Sequence, residues 1–177
     1  MKPSSVRRRC TAVLRDVEVP DPFNLSVFCD SLAAQRGRPL HLHSFNVNAT
    51  GKLPCGVYLS LGDGDHIFFD ARTSPLHRDH IVLHEISHML LNHASDAGLS
   101  EMAARLMPSI DQRTLELVLA RTSYTTEHEQ EAEFLATLIA GASRAQAKAG
   151  DERDPSTPIL DRLHTTLGHV TASGHRR

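Results

Sequence analysis

Covalent cross-links are the first thing this sequence lacks. Its three cysteines, Cys10, Cys29 and Cys55, are odd in number, far apart and without a C-x-x-C pair. That excludes a disulfide-built fold and reads as reduced thiols in a cytosolic protein, buried or half-buried. Long apolar runs are missing too, so no segment approaches the roughly 20 residues of a membrane span and no membrane partner is expected. Charge of one sign is also scarce. A formal net charge of −2 gives no overall field for nucleic acid, and no direct nucleic-acid binding is expected. Arg7-Arg8-Arg9 resembles the start of an export signal, but no apolar stretch or small-residue cleavage site follows, so these arginines read as one face of a solvated helix. There is no internal repeat. What is present is an ordinary composition, 40% hydrophobic and 23% charged over 177 residues, enough for one domain with a real core. Histidine is the exception. Twelve of them raise the frequency of accidental metal-like spacings, so each needs its own argument.

Hydrophobic spacing divides the chain into a domain over residues 1–142, whose first 20 residues are a helical extension, and a region over 143–177 of flexible linker, short helix and tail. Val6, Cys10, Val13 and Val17 recur at helical spacing, predicting a helix over 4–18. Pro20-Asp21-Pro22 breaks the chain and predicts a second helix with Asp21 as N-cap and Pro22 at its first position. Leu25, Phe28, Cys29 and Leu32 supply its buried face, and Gly37 ends it. From Pro39 the period becomes two. Leu40 and Leu42 alternate with His41 and His43 up to Phe45, Val57, Leu59 and Leu61 mark a second strand, and residues 66–70 a third. Gly62-Asp63-Gly64 joins the last two as a hairpin, so an antiparallel three-stranded sheet is expected, with a polar connection over 46–54. His41, His43 and His66 read as solvent-facing strand residues. Helical patterns follow at 99–106 and 111–119. A long acidic helix then opens at Thr125-Thr126, with Ala132, Leu135, Leu138 and Ile139 on its apolar side. From Gly141 to Pro158 little is left to bury, which reads as a frayed end and linker. A short helix is expected at 159–167 and a disordered tail at 174–177. The class is α+β.

The most specific motif is His84-Glu85-Ile86-Ser87-His88, of the form H-E-x-x-H. Ser74-Pro75 caps and opens its helix, expected to run to about His93. Residues four apart share one helical face, so His84 and His88 can reach a single metal ion. Glu85 lies about 100° around from His84 and can face the metal's open position without being a ligand. Val82, Leu83, Ile86, Met89 and Leu90 gather on one side of the wheel, to pack on the sheet. Ile81, His84, Ser87 and His88 gather on the other, to line a cleft. A catalytic zinc needs three protein ligands. His93, extrapolated along the same helix, falls on the opposite side and reads as a helix-end residue favourable to the dipole. Nor does the chain continue as H-E-x-x-H-x-x-G-x-x-H, since Leu91 and Ala94 hold the later positions. His77 and His80 can border the cleft, but a His80/His84 ligand pair leaves Glu85 without a role.

The acidic helix, TTEHEQEAEFLATLIAGAS, offers Glu127, Glu129, Glu131 and Glu133. Acidic first turns suit the helix dipole, and a charge run is by default a solvated face. Glu129 and Glu133 stack four apart, so one of them can ligate while the other accepts a hydrogen bond from the far nitrogen of a ligand histidine. Ala132 and Ala136 allow two helices to approach closely. HEISHMLLNH followed by EQEAEFLATLI resembles the ImmA/IrrE-type metallopeptidases, typified by H-E-[IL]-[GS]-H-x-L-L and a later E-x-x-A-[ND]-x-[FL]-A, over roughly residues 22–142. The resemblance implies a zincin-like fold, with a small antiparallel sheet packed against the H-E-x-x-H helix and a second, glutamate-bearing helix. It implies one zinc ion per chain held by His84, His88 and Glu129, with Glu85 as the catalytic glutamate. Glu129 takes the ligand position because Ala132 matches the motif alanine and Leu135-Ala136 its later pair. Glu133 stands at the usual Asn/Asp position, where its carboxylate can accept from a ligand histidine. The ending LIAGAS departs from the family's L-L-M-P, and the segment between the motifs is long.

Such a site implies peptide hydrolysis. Zinc acidifies water and polarises the scissile carbonyl, while Glu85 takes the proton and passes it to the leaving amine. Tyr124 and His128 are candidate transition-state donors, though Tyr124 equally reads as a packing residue. The sheet edge can hold an extended substrate by strand addition. The resemblance implies a cytoplasmic endopeptidase whose substrate is a partner transcriptional repressor, of helix-turn-helix type and encoded nearby, cleaved to relieve repression. The alternative is a regulatory or toxin-antitoxin component that binds its partner without cleaving it and carries structural zinc; the intact Glu85 argues against it. A zinc hydrolase of small amides shares the same chemistry.

Overall fold

The computed structural model describes residues 3–45, 54–93 and 124–151. Within them the chain is α+β, with four helices and one three-stranded sheet. The helices are α1 (Pro3–Arg15), α2 (Leu25–Arg36), α3 (Pro75–Leu90) and α4 (Thr126–Asp151), and the strands β1 (Leu40–Phe45), β2 (Gly56–Ser60) and β3 (Asp65–Asp70). The connection over 46–53, the helical patterns at 99–106, 111–119 and 159–167, and the tail at 174–177 lie outside the described residues.

The sheet is mixed, not antiparallel. β2 and β3 form the expected hairpin, with Gly56 opposite Phe69 and Ser60 opposite Asp65. β1, however, pairs parallel with β3, from Leu40 opposite Asp65 to Phe45 opposite Asp70, giving the order β1-β3-β2. A tight turn sets direction only for the two strands it joins. Here the chain runs up β1, back along β2 and up again along β3, inserted between them, so β1 lies beside a strand of its own direction. The central position buries β3 on both faces. His66, expected in solvent, is only 3% exposed, with Nδ1 3.0 Å from His43 Nε2 and Nε2 3.2 Å from Asp63. His43 is half-buried and stacks on Phe68, and His41 is exposed as expected. On β2, Tyr58 joins the main core with Ile67, while Val57 and Leu59 are buried on the sheet's other face.

α2 starts later than Asp21. Its N-cap is Asn24, whose side chain accepts from the Val27 N–H at 3.1 Å. Phe23, the residue before the cap, packs on Phe28 with ring centroids 6.0 Å apart, a hydrophobic staple that fixes the entry angle. Asp21 and Pro22, joined by a cis peptide bond, precede this start. Gly37 ends the helix at φ 61°, as its lack of a Cβ permits. α4 also differs from expectation. It runs on to Asp151 through a stretch read as linker, a stretch rich in Ala, Arg, Gln and Lys, which favour a helix by intrinsic propensity.

α3 lies between the β2–β3 pair and α4, α1 packs on α4, and α2 packs on β1. Phe28, Leu32, Ile67, Val82, Ile86, Met89, Leu135 and Ile139 form the shared core, with Cys10 and Cys29 buried in it. Burial pushes the Cys29 thiol up to about 12, so it stays protonated and unreactive. Cys55 is exposed, against the expectation of a buried or half-buried thiol. Asp65 ties α2 to the sheet: its carboxylate accepts from Arg36 at 3.1 Å, Arg38 at 3.2 Å and the Tyr58 hydroxyl at 3.0 Å. Burial works against its charge, but the Tyr58 hydroxyl and the two guanidiniums outweigh it and hold the carboxyl below its ordinary value. No helix among the described residues is long and apolar enough to cross a membrane.

Candidate metal centre

The site forms where two helices meet. Ser74 caps α3, its hydroxyl accepting the His77 N–H at 3.4 Å, and Pro75 fills the first turn. One turn of α3 separates His84 from His88 and brings their Nε2 atoms to 3.1 Å. On the facing helix, the Thr125 hydroxyl and carbonyl accept the His128 and Glu129 amides at 3.2 and 3.0 Å, fixing the first turn of α4. Ala132 and Ala136 are fully buried, and such small side chains let the two helices close up. Glu129 then reaches both imidazoles, with Oε2 3.3 Å from His84 Nε2 and Oε1 3.6 Å from His88 Nε2. One donor atom from each of His84, His88 and Glu129 lies within 4.8 Å of the others. Glu133, one turn on, places Oε2 3.3 Å from His84 Nδ1 and 3.3 Å from His80 Nε2. The stacked glutamates thus divide their contacts: Glu129 faces the near nitrogens and Glu133 the far nitrogen of His84.

These residues line a cleft of about 470 Å³ with Pro54, Cys55, Gly56, His80, Ile81 and Tyr124. Glu85 also faces it. Its side chain is 5% exposed, and Oε2 is buried with no hydrogen-bond partner. Burial, then the nearby charge of Glu129, pushes its carboxyl up to about 8, against a hydrogen bond from the Tyr58 backbone. Gly56 makes room for it. A Cβ there would stand 2.6 Å from Ile81 Cγ2 and 2.9 Å from Glu85 Oε1, so β2 can approach α3 only with a bare backbone.

Two imidazole nitrogens and a carboxylate oxygen opening on a cleft form a donor set that suits a divalent transition ion and leaves a position for water or substrate. Burial and the neighbouring imidazoles of His84, His93 and His128 lower His88 to about 3, so it presents a neutral ring with a lone pair. The orphaned Glu85 oxygen fits the same reading, since a cation beside it favours its charged form.

Several residues depart from the expected layout. Ser87 does not line the cleft; it is buried, and its hydroxyl donates to the Leu83 carbonyl at 2.8 Å. Tyr124 does line it, with its ring stacked on His88 at 3.7 Å and its hydroxyl 3.5 Å from the Tyr58 carbonyl. Burial and the Glu85 carboxylate raise its phenol, keeping it a neutral donor. His128, the other candidate donor, stacks on His93 at 4.2 Å and is not among the cleft-lining residues.

His93 is the largest correction. It is a buried partner of the site, not a helix-end residue facing the dipole: 2% exposed, with Nδ1 3.1 Å from His88 Nδ1 and Nε2 3.0 Å from Glu131 Oε2. The helix does not run straight to it. Leu91 is the C-cap and Asn92 turns left-handed at φ 52°. The Asn92 and His93 amides return to the Met89 and His88 carbonyls at 3.2 and 3.0 Å, a Schellman stop that folds His93 back beneath His88. Asn at that position was the available signal. Glu131, read only as one of four acidic residues, is 2% exposed and also accepts from Arg9 at 2.6 Å. No protein-family model, curated protein or solved structure matches the chain.

Proposed function

We propose that the chain is a zinc-dependent peptidase of the ImmA/IrrE type, with a zincin-like fold and a protein substrate. The observation that carries this reading is Glu85, a buried carboxylate with an unpartnered oxygen beside the His84/His88/Glu129 group, at an open cleft. A site serving stability alone gains nothing from a buried, unsatisfied carboxylate, which costs free energy in the fold. Zinc held by the three ligands would polarise a scissile carbonyl and acidify a water molecule. Glu85 then accepts a proton at its free oxygen and delivers it to the leaving amine. Tyr124, held neutral at the cleft wall, donates to the carbonyl oxygen as negative charge develops there. Residues 54–56 border the cleft at the start of β2, an edge strand of the described sheet, where an extended backbone can pair. The substrate proposed is a helix-turn-helix repressor encoded nearby, cleaved in the cytoplasm to relieve repression.

The test incubates the purified chain and zinc with that repressor, alongside Glu85→Gln. Loss of the acid-base group is expected to cut cleavage by about 10²–10⁴-fold while zinc content stays at one per chain. Stable binding without cleavage at full zinc occupancy would instead favour a regulator that acts by binding.

A further inference from the structure

Behind His88 a line of buried polar groups leads away from the cleft to the N-terminal helix. His88 is fully buried, and His93 and Glu131 are each 2% exposed. Their contacts run His88 Nδ1 to His93 Nδ1 at 3.1 Å, His93 Nε2 to Glu131 Oε2 at 3.0 Å, and Glu131 Oε2 to Arg9 Nη1 at 2.6 Å. Arg9 Nη2 also donates to the Leu91 carbonyl at 2.6 Å, where α3 stops. Beside it, the buried Cys10 thiol donates to the Glu131 carbonyl at 3.5 Å. One guanidinium on α1 therefore clasps the C-terminal end of α3, which carries two of the ligands, to α4, which carries the third.

We infer that Arg9, Glu131 and His93 form a relay that fixes the ring proton of His88 and makes metal affinity depend on the docking of α1. The inference rests on the metal-centre reading of His84, His88 and Glu129. Its logic is proton counting along the line. Glu131 Oε2 accepts from Arg9 and, being a carboxylate oxygen, accepts from His93 as well, so the His93 proton sits on Nε2. A neutral imidazole carries one such proton, which leaves His93 Nδ1 bare. The atom facing it, His88 Nδ1, must then be the donor. That leaves the His88 Nε2 lone pair bare, on the side where His84 Nε2 and Glu129 Oε1 converge. Glu131 thus dictates, through two rings, which nitrogen of His88 can ligate. His93, Glu131 and Arg9 are positioning residues and touch neither ion nor substrate.

The test uses the full chain and two readouts. Nitrogen-15 histidine spectra of the metal-free protein report which ring nitrogen of His88 carries the proton. Competition with a chromophoric chelator reports zinc affinity. The wild type is expected to hold the proton on Nδ1. His93→Leu, which removes the acceptor, is expected to populate the Nε2–H form and weaken zinc binding about 10–100-fold. His93→Gln, which can accept through its side-chain oxygen, is expected to recover most of that loss. Arg9→Met, at a half-exposed position that spares the core, is expected to weaken zinc binding severalfold. A His93→Leu or Arg9→Met chain that stays folded with unchanged zinc affinity overturns the relay, as does a wild type with the His88 proton on Nε2. If no zinc binds the wild type, the metal-centre reading falls and takes the affinity claim with it, whereas the proton position still decides the relay.

Discussion

Glu85 concentrates the demands on the site in one side chain. In the proposed role it must stay buried to be a strong base and be left unsatisfied to be available; its burial, its unpartnered Oε2 and the bare Gly56 backbone beside it are the features this role requires. Gly56→Ala should therefore do two things at once. The new methyl would press on Ile81 and the Glu85 carboxylate, costing about 1–3 kcal/mol by overpacking, and it should lower the proposed peptidase activity more than thermal stability predicts. Denaturant unfolding and a cleavage assay on the same preparation separate the two effects. The sequence makes His84, Glu85 and His88 legible because a period of 3.6 fixes their relative positions. Glu129 was accessible only through its resemblance to a motif, since four glutamates at similar spacing look alike until α3 faces them. Glu131 shows why: two residues from Glu129, it points to a buried imidazole and a guanidinium instead of the cleft. His93 escapes the sequence reading because a straight helix to His93 runs three residues beyond Leu90, where α3 ends before the Asn92 turn.

At the scale of elements, local chemistry explains most boundaries and non-local pairing explains the exceptions. Ser74-Pro75, Thr125 and Gly37 act as their residue types suggest. α2 starts three residues beyond the expected cap because Asn24 and the Phe23–Phe28 staple together outcompete Asp21. Asn24→Ala is accordingly expected to cost about 1 kcal/mol, and Asp21→Ala to leave the unfolding midpoint nearly unchanged. The direction of β1 was not legible. It depends on β3 inserting beside it, which no turn residue encodes. Asp65 then locks α2 to that strand, and its depressed carboxyl pKa carries a pH signature. The unfolded chain takes up this proton before the folded one, so the stabilisation is complete above the ordinary value of 3.8 and is lost as pH falls through the lower folded value. Asp65→Asn should be less stable than the wild type at neutral pH, and the gap should narrow below about pH 4 in acid-unfolding curves. A gap that stayed constant down to pH 2 would remove the charge from the explanation.

In the whole molecule, the sheet, α2 and much of the core serve to hold α3 in one orientation, and α4 brings the third donor across to it. α1, which reads from its sequence as a peripheral amphipathic helix, reaches the same centre from behind through Arg9. Composition and periodicity made the α+β class and the central role of α3 legible. Ala132 and Ala136 already pointed to close approach of two helices, but the buried polar line behind His88, which has no strong local signature, was not legible. The proposed chemistry requires a two-helix centre with two imidazoles and one carboxylate. Zinc-edge X-ray absorption of the reconstituted chain reads that set directly. The prediction is one zinc per chain in a nitrogen and oxygen shell at about 2.0–2.2 Å, with outer-shell scattering from two imidazoles that is lost stepwise in His84→Ala and His88→Ala. A sulfur shell near 2.3 Å, or a zinc environment unchanged in Glu129→Ala but lost in Glu131→Ala or Glu133→Ala, would contradict it.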